Sequence, residues 1–250
     1  MQAAPKNYIL ANLINEKIET CGSLDVLTFV EINNFGEFVE ERRTYNELWQ
    51  NGHRVAKALL EENMSAGSSF AIISQNHPEF VDTMVGSSII GTIFVPIDPR
   101  TKGQKLSFML NHSECEGVIV GDYAVENIKE IIDECPKLRW LWVIGKTQNA
   151  SPSINQKNFG EILAAKFTEI PLQVTDAETP MQMLFTSGTT GDPKAILSPY
   201  SRFGFVGSLG EAFGLKKDDR PYTGLSLTHA NAQLITLGTS LHMGLRAVFS

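Results

Sequence analysis

The sequence has few cysteines, and no two of them lie close together. Cys21, Cys115 and Cys135 are an odd number among 250 residues, and no C-x-x-C spacing occurs. Small secreted domains rely on several disulfides, whereas cytosolic proteins keep their thiols reduced. The count argues against a disulfide framework, and we expect a cytoplasmic protein.

The sequence also lacks a long apolar run and an excess of positive charge. The longest apolar region, residues 81–97, is interrupted by polar side chains and Pro96, and Met1–Ile9 carries no signal pattern. A bilayer span needs about 20 apolar residues in succession. The net charge is −7, from 21 Lys and Arg against 28 Asp and Glu. Because such a surface repels polyanions, we expect no membrane span and no nucleic-acid partner.

Helix and strand patterns alternate along this chain, which is 42% hydrophobic. The spacing predicts a first helix over residues 7–20, and Thr44 with Glu47 forms a capping box for a second. Apolar runs bounded by glycine, proline or polar residues predict strands, among them 26–32, 70–73 and 181–185. The predicted apolar stripe of the second helix consists of Tyr45, Leu48, Val55, Ala56, Leu59 and Leu60.

Two further segments carry predictions of their own. "YAVENIKEIIDEC" is predicted as one helix, and the polar residues 146–160 are predicted as a linker or surface loop. Together, the alternation predicts an α/β fold with parallel strands and crossover helices.

The segment "MLFTSGTTGDPKAILSPY", residues 183–200, interrupts this alternation with small polar residues between two apolar runs. Gly188, Gly191 and Pro193 break regular pairing, and glycines let backbone N–H groups turn toward one point. Hydroxyl groups and the Lys194 ammonium complete the donor set of a phosphate-binding loop. A flexible, solvated turn is the alternative reading. Neither the Walker pattern nor the dinucleotide pattern G-x-G-x-x-G occurs here.

Taken whole, "TSGTTGDPKA" resembles the phosphate-loop signature of the adenylate-forming superfamily, which includes acyl-CoA synthetases, firefly-type luciferases and peptide-synthetase adenylation domains. The resemblance extends from about residue 10 to the end, through "RRTYNELWQNGHRVAKALL" and the strand-helix-strand segment at residues 70–100. It implies doubly wound, mostly parallel sheets with flanking helices. It also implies a first lobe over residues 1–174, the start of a second lobe over 175–250, and no C-terminal domain.

The resemblance implies a two-step reaction. A carboxylic acid attacks the α-phosphorus of ATP to form an acyl-adenylate, and the acyl group then passes to a thiol, commonly coenzyme A. Lys194 would be the charged contact of the phosphates, and Thr189 or Thr190 would also touch Mg²⁺. The residues that would hold the ATP phosphates are Thr186, Ser187, Gly188, Thr189, Thr190, Gly191 and Lys194.

A second segment, "GLSLTHANAQ", resembles the acyl-pocket region of that superfamily. His229 falls where an aromatic residue or histidine lies near the α-phosphate and the carboxylate, so we expect it to hydrogen-bond an oxygen there or to gate the pocket. A buried structural histidine is the alternative. Leu227 and Thr228 replace the Pro and Phe that often precede this position.

The same segment bears on the substrate. Amino-acid-activating relatives place an aspartate in this region to pair with the substrate ammonium, and no acidic residue occurs here. A buried cation without a counter-charge costs several kcal/mol. We therefore expect a plain carboxylic acid, with a small-to-medium acyl-CoA ligase, for instance of the carnitine/crotonobetaine type, as the nearest resemblance. The alternatives are an amino-acid adenylation domain that loads a carrier protein and a non-catalytic nucleotide-binding module. Oligomerisation through exposed apolar surface stays among the expectations.

Several segments that the resemblance implies for catalysis do not occur in residues 1–250. They include an aromatic-Gly-x-Thr-Glu segment, a Thr-Gly-Asp segment and a C-terminal domain with a catalytic lysine. We expect these 250 residues alone to form no acyl-adenylate. Acid-dependent exchange of pyrophosphate into ATP should occur only with a chain that includes those segments. Equal exchange rates in both chains would contradict this expectation.

Overall fold

The computed structural model describes residues 4–33, 35–146, 154–186 and 193–250, and these residues form two sheets flanked by helices. The larger sheet has seven strands in the order β7-β6-β5-β3-β4-β8-β9, and the smaller has four in the order β10-β11-β1-β2. Only the β8–β9 and β1–β2 pairs are antiparallel. The strands are β1 (Asp25–Ile32), β2 (Phe38–Thr44), β3 (Ser69–Ile73), β4 (Ile93–Pro96), β5 (Gly117–Gly121), β6 (Trp140–Ile144), β7 (Asn155–Asn158), β8 (Pro180–Thr186), β9 (Lys194–Pro199), β10 (Tyr222–Thr223) and β11 (Ala247–Phe249).

Helices cover both faces of the seven-stranded sheet, so its central strands are apolar without alternation. One core lies between this sheet, the smaller sheet and helices α1–α3, and a second lies beneath α4 and α5. The fold class predicted from the sequence, α/β with doubly wound, mostly parallel sheets, is confirmed. The helices are α1 (Leu10–Cys21), α2 (Tyr45–Glu61), α3 (Pro78–Ile90), α4 (Gly103–His112), α5 (Val125–Lys129), α6 (Phe159–Ala164), α7 (Tyr200–Ser208) and α8 (Gly238–Met243).

Helix α2 begins at the predicted capping box. The Glu47 N–H donates to Thr44 Oγ1 over 3.1 Å, and the Thr44 N–H donates to Glu47 Oε2 over 2.7 Å. Five of the six predicted stripe residues are fully buried, but Leu60 is 37% exposed. That part of the prediction is wrong, and Leu60 lies at the end of the helix, one residue before Glu61.

Two glycines let α2 and α3 pack closely. A Cβ atom on Gly52 would lie 2.4 Å from Cγ1 of Val85, and one on Gly86 would lie 2.6 Å from Cγ1 of Val55. The two helices therefore pack with Val85 of α3 against Gly52 of α2 and with Val55 of α2 against Gly86 of α3. Twelve of the thirteen α3 residues are buried, so this helix runs through the centre of the molecule.

Two of the segment predictions are corrected by the structure. The predicted helix over "YAVENIKEIIDEC" is a single α-helical turn, α5, between two 3₁₀ turns, because Ala124 and Ile131 have φ near −120° and ψ near 0°. Within the predicted loop, Asn155–Asn158 forms the edge strand β7, while residues 147–153 lie outside the described ranges. Glu62 holds this strand, since its carboxylate accepts from Asn155 Nδ2 over 3.0 Å and pairs with Lys157 Nζ at 2.8 Å.

The expected division into lobes at residue 174 stays a prediction. Both sheets contain strands from either side of that residue: β8 and β9 extend the larger sheet, and β10 and β11 pair into the smaller one. Any second lobe that begins near residue 175 would therefore share its sheets with the first.

A buried ion pair connects β2 to α3. Arg43 Nε lies 3.0 Å from Asp82 Oδ2, which also accepts from Asn51 Nδ2 over 3.2 Å. Burial raises the pKa of Asp82 to about 7, against the opposing effect of Arg43. Burial also disfavours the Arg43 charge, but Asp82 and Glu41 together raise the pKa of Arg43 above its ordinary value. The pair is thus held by mutual attraction in a place that neither charge would occupy alone.

Replacing Arg43 with methionine should remove this compensation while keeping a long apolar stem. We expect Arg43→Met to lower the free energy of unfolding by about 3 kcal/mol at about pH 9, since Asp82 is ionised there in the wild type and the variant leaves it without its cation. The loss should shrink near pH 5, because a protonated Asp82 needs no counter-charge. Denaturant titration at both pH values measures the effect.

Arg42 provides the matched control. It carries the same charge on the same strand, but it pairs with Asp25 and Glu40 at the surface, where its side chain is 55% exposed. Arg42→Met should leave the midpoint close to the wild-type value. Similar losses in both variants would show that the buried pair has no special role.

Candidate functional site

A cavity of about 500 Å³ lies where the carboxyl ends of both sheets meet. Its walls come from the ends of β1, β3, β4, β10 and β11, and ligands of open α/β sheets bind at this edge. The lining residues are Val30, Glu31, Ile32, Gln75, Asn76, Asp98, Pro99, Arg100, Gly224, Ser226 and Ser250.

Asp98 and Arg100 form one wall of the cavity, directly after β4. Arg100 donates from Nε to Asp98 Oδ1 over 2.9 Å and from Nη2 to Oδ2 over 2.6 Å, and its main-chain N–H reaches Oδ1 over 2.8 Å. These bonds lower the pKa of Asp98, and the nearby His229 imidazole lowers it further. The carboxylate is therefore kept ionised and already neutralised by its neighbour.

Asn76 ties the opposite wall to this edge. Its Nδ2 donates to the carbonyl oxygens of Leu225 over 3.1 Å and Ser250 over 3.0 Å, and its Oδ1 accepts from the Leu227 N–H over 2.7 Å. Asn76 is only 9% exposed. Its side chain connects the end of β3 with the segment after β10 and with the end of β11. One amide thus joins the two sheets beside the cavity.

The structure places His229 two residues beyond this contact. A π-helix, Ala232–Leu237, follows it, and Gln233 Nε2 from that helix donates to the Leu227 carbonyl over 2.6 Å. Short π-helical stretches occur frequently at functional sites. His229 is exposed, so the alternative of a buried structural histidine does not hold.

Sequence reasoning missed a hydrogen-bonded chain at the rim of the cavity. His77 Nδ1 lies 2.8 Å from Glu31 Oε1, and its Nε2 lies 3.2 Å from the Tyr123 hydroxyl oxygen, which also accepts from the Gln75 N–H over 2.6 Å. Burial raises the pKa of Tyr123 to about 12. With the proton on Nδ1 shared with Glu31, Nε2 can accept from the phenol. The available signal was the position of His77 just after a buried strand.

The predicted phosphate loop connects β8 to β9. Its two described ends, Thr186 and Lys194, are opposite partners in the antiparallel ladder, and both residues are exposed. Because β8 runs parallel to β4, Thr186 ends at the same sheet edge as Asp98. Ser187, Gly188, Thr189, Thr190 and Gly191 lie outside the described residues, so the structure describes no geometry for them.

A threonine hydroxyl and a lysine ammonium are donors suited to phosphate oxygens, so Thr186 and Lys194 fit the chemistry of a nucleotide phosphate. In the described ranges, no group of three or more His, Cys, Asp or Glu side chains is arranged to hold a metal ion. A magnesium ion bound with ATP would depend on Thr189 or Thr190 and on the phosphates themselves. Within the same ranges, we also find no helix with the length and apolarity to cross a membrane.

The pairing of Asp98 with Arg100 predicts a pH effect. Because the pKa of Asp98 lies below its ordinary value of 3.8 in the folded chain, its carboxylate stabilises the fold above that value. The contribution is lost as the pH falls through the folded-state pKa. Between about pH 5 and about pH 2, Asp98→Asn should therefore lose less unfolding free energy than the wild type. Asp218→Asn, which removes an exposed carboxylate with no ion pair in the described ranges, should follow the wild-type curve.

The chain is similar in sequence to known proteins. A medium/long-chain-fatty-acid–CoA ligase, FadD17, of Mycobacterium tuberculosis is 26% identical over 216 residues, which cover 84% of this chain and 39% of the relative. Long-chain fatty acid transport protein 6 of Mus musculus is 28% identical, over 82% of this chain and 33% of the relative. The chain thus spans about two fifths or less of the length of these relatives.

Solved structures show the same fold. The crystal structure of the anthranilate CoA ligase AuaEII in complex with anthranoyl-AMP superposes with a TM-score of 0.85 at 18% identity, covering 99% of this chain and 45% of that one. The profile of a family described as AMP-binding enzyme matches residues 28–250. This match runs from within β1 to the end of β11 and includes both walls of the cavity and the predicted phosphate loop, and the chain therefore belongs to the AMP-binding enzyme family.

Proposed function

We propose that this chain is the nucleotide- and acid-binding part of an ATP-dependent acid–thiol ligase. The observation that carries the proposal is the position of Thr186 and Lys194, the described residues on either side of the phosphate-loop segment. They end β8 and begin β9 at the sheet edge where Asp98 and the cavity also lie. In this proposal the loop holds the phosphates of ATP, and the acid occupies the space beside the His229 segment.

The proposed first step is an in-line displacement at phosphorus. A carboxylate oxygen of the substrate forms a bond to the α-phosphorus of ATP, the bond to the pyrophosphate oxygen breaks, and an acyl-adenylate results. Because two anions must meet, positioning and charge neutralisation supply most of the catalysis. Lys194 would offset charge on the phosphates, and His229 would donate a hydrogen bond to a carboxylate or phosphate oxygen. Mg²⁺ bound with ATP would neutralise phosphate charge, with the Thr189 or Thr190 hydroxyl as a contact.

The second proposed step transfers the acyl group to the thiol of coenzyme A. The thiol sulfur forms a bond to the acyl carbon, the bond to the AMP oxygen breaks, and the thiol proton is released. The kinship with CoA ligases supports this acceptor. The proposal assigns no residue of these 250 to the binding of coenzyme A.

The cavity supports a plain carboxylic acid over an amino acid. Its described lining includes two carboxylates, and both already have a cationic or imidazole partner: Asp98 pairs with Arg100, and Glu31 contacts His77. No carboxylate of this lining is thus left to pair with a substrate ammonium. A carrier-protein-loading domain for amino acids is the second candidate, and a panel of acids with coenzyme A as acceptor separates the two.

Nucleotide binding tests the role of Lys194. We expect Lys194→Ala to weaken binding of Mg·ATP by the 250-residue chain about tenfold or more, because a charge-assisted contact to phosphate is lost. Calorimetric titration measures this affinity. Lys216→Ala removes the same charge from another exposed lysine and should bind like the wild type. Unchanged affinity in Lys194→Ala, or a crystal soaked with ATP that shows its phosphates elsewhere, would refute the proposed site.

A further inference from the structure

The segment between β10 and the π-helix has little regular structure. Residues 224–229 form no strand or helix, and Leu227 is the one residue among them that is buried. Local bonds account for only part of its backbone: the Leu225 N–H donates to Thr223 Oγ1, and the Thr228 N–H donates to Ser226 Oγ. The path of the segment therefore depends on partners from elsewhere in the chain.

Asn76 supplies those partners from the end of β3. Asn76 accepts a hydrogen bond from the Leu227 N–H and donates one to the Leu225 carbonyl. Gln233 donates to the Leu227 carbonyl from the other side. Both the main-chain N–H and the carbonyl of Leu227 are thus hydrogen-bonded to side-chain amides rather than to a strand. Both Asn76 Nδ2 donor interactions and the Oδ1 acceptor interaction are with main-chain groups, which restrains the amide itself.

We infer that Asn76 is a positioning residue that fixes the path of the chain between Ser226, which lines the cavity, and His229. His229 follows Leu227 by two residues, and its main-chain N–H bonds to the Ser226 carbonyl over 2.9 Å, so a shift of the anchored peptide moves the imidazole. The inference rests on the proposed function for its catalytic meaning. Asn76 itself acts through the segment 225–229.

The test measures the surroundings of the His229 ring rather than activity. Histidine side chains of the 250-residue chain are labelled with ¹³C, and the His229 signal is assigned by its absence in His229→Gln. Asn76→Ala should shift this signal, because the anchored peptide that leads to His229 is released. Asn111→Ala should leave the signal in place, because Asn111 bonds the Glu134 carbonyl instead. An unshifted His229 signal in folded Asn76→Ala would overturn the inference.

Amide hydrogen exchange gives a second measurement on the same variants. The Leu227 amide should exchange at least about tenfold faster in Asn76→Ala than in the wild type. In Asn76→Asp the acceptor for this amide remains but both donors are lost, so the Leu227 amide should keep most of its protection. Asn111→Ala is the control, since it removes an amide that bonds the Glu134 carbonyl over 2.8 Å, far from the cavity. Unchanged exchange of Leu227 in folded Asn76→Ala would also overturn the inference.

Binding of Mg·ATP separates this inference from the proposed function. If the wild-type chain binds no Mg·ATP, the proposed function fails, while the ring signal and the amide exchange still decide the role of Asn76. If the wild type binds and the ring stays in place without Asn76, the function stands and the inference fails. Tighter or equal binding by Asn76→Ala would likewise count against a positioning role.

Discussion

The need to satisfy the buried peptide groups of Leu227, within the irregular segment 224–229, constrains the cavity edge of this molecule. An unpaired buried donor or acceptor costs about 1–3 kcal/mol, and this segment has no neighbouring strand to pair with. Asn76 and Gln233 meet the requirement with side-chain amides. Since Asn76 also holds the Ser250 carbonyl, the same solution fixes how the smaller sheet meets the larger one. The shape of this cavity edge thus depends on the hydrogen bonds that an irregular stretch of chain requires.

Helix α3 supplies the rigid support for this arrangement. It begins immediately after Asn76 and His77 and is buried over nearly its whole length, so the end of β3 cannot move independently of the core. Its two buried serines have partners inside the protein. Ser88 Oγ accepts from the Ala11 N–H over 3.0 Å, and Ser87 Oγ donates to the Thr92 carbonyl over 2.8 Å. These two interruptions of the longest apolar region therefore bond α3 to its surroundings.

The sequence predicted the periodic parts of this structure and missed those set by long-range contacts. The capping box at Thr44 and the apolar strand β3 depend on neighbours within a few residues, and local patterns report such features directly. Strand β7 was read as a loop because an edge strand held by Glu62 needs no apolar residues. The coupling between Asn76 and Leu227 spans 151 residues, and no local pattern encodes it.

The candidate site shows the same division. His229 was predicted from a resemblance, and its role stays a prediction, whereas Asp98, Arg100 and the Glu31–His77–Tyr123 chain were found only when the strand ends came together. Parallel strands place their carboxyl ends at one edge, but which strands are neighbours depends on the order in the sheet. A single sequence predicts that such an edge exists without naming the residues that meet there.

In the proposed function the substrate is an anion, so the charges of the residues that line the cavity matter for its binding. The chain carries a net charge of −7, and a carboxylate approaching a triphosphate would meet repulsion from any free acid in the cavity. Asp98 is neutralised by two side-chain hydrogen bonds from Arg100, and Glu31 faces the His77 imidazole. Of these two lining carboxylates, Asp98 is thus paired with a cation, and Glu31 is hydrogen-bonded to an imidazole. In the proposed function, Lys194 would then be left for the phosphates of ATP, because Asp98 already has its own cation in Arg100.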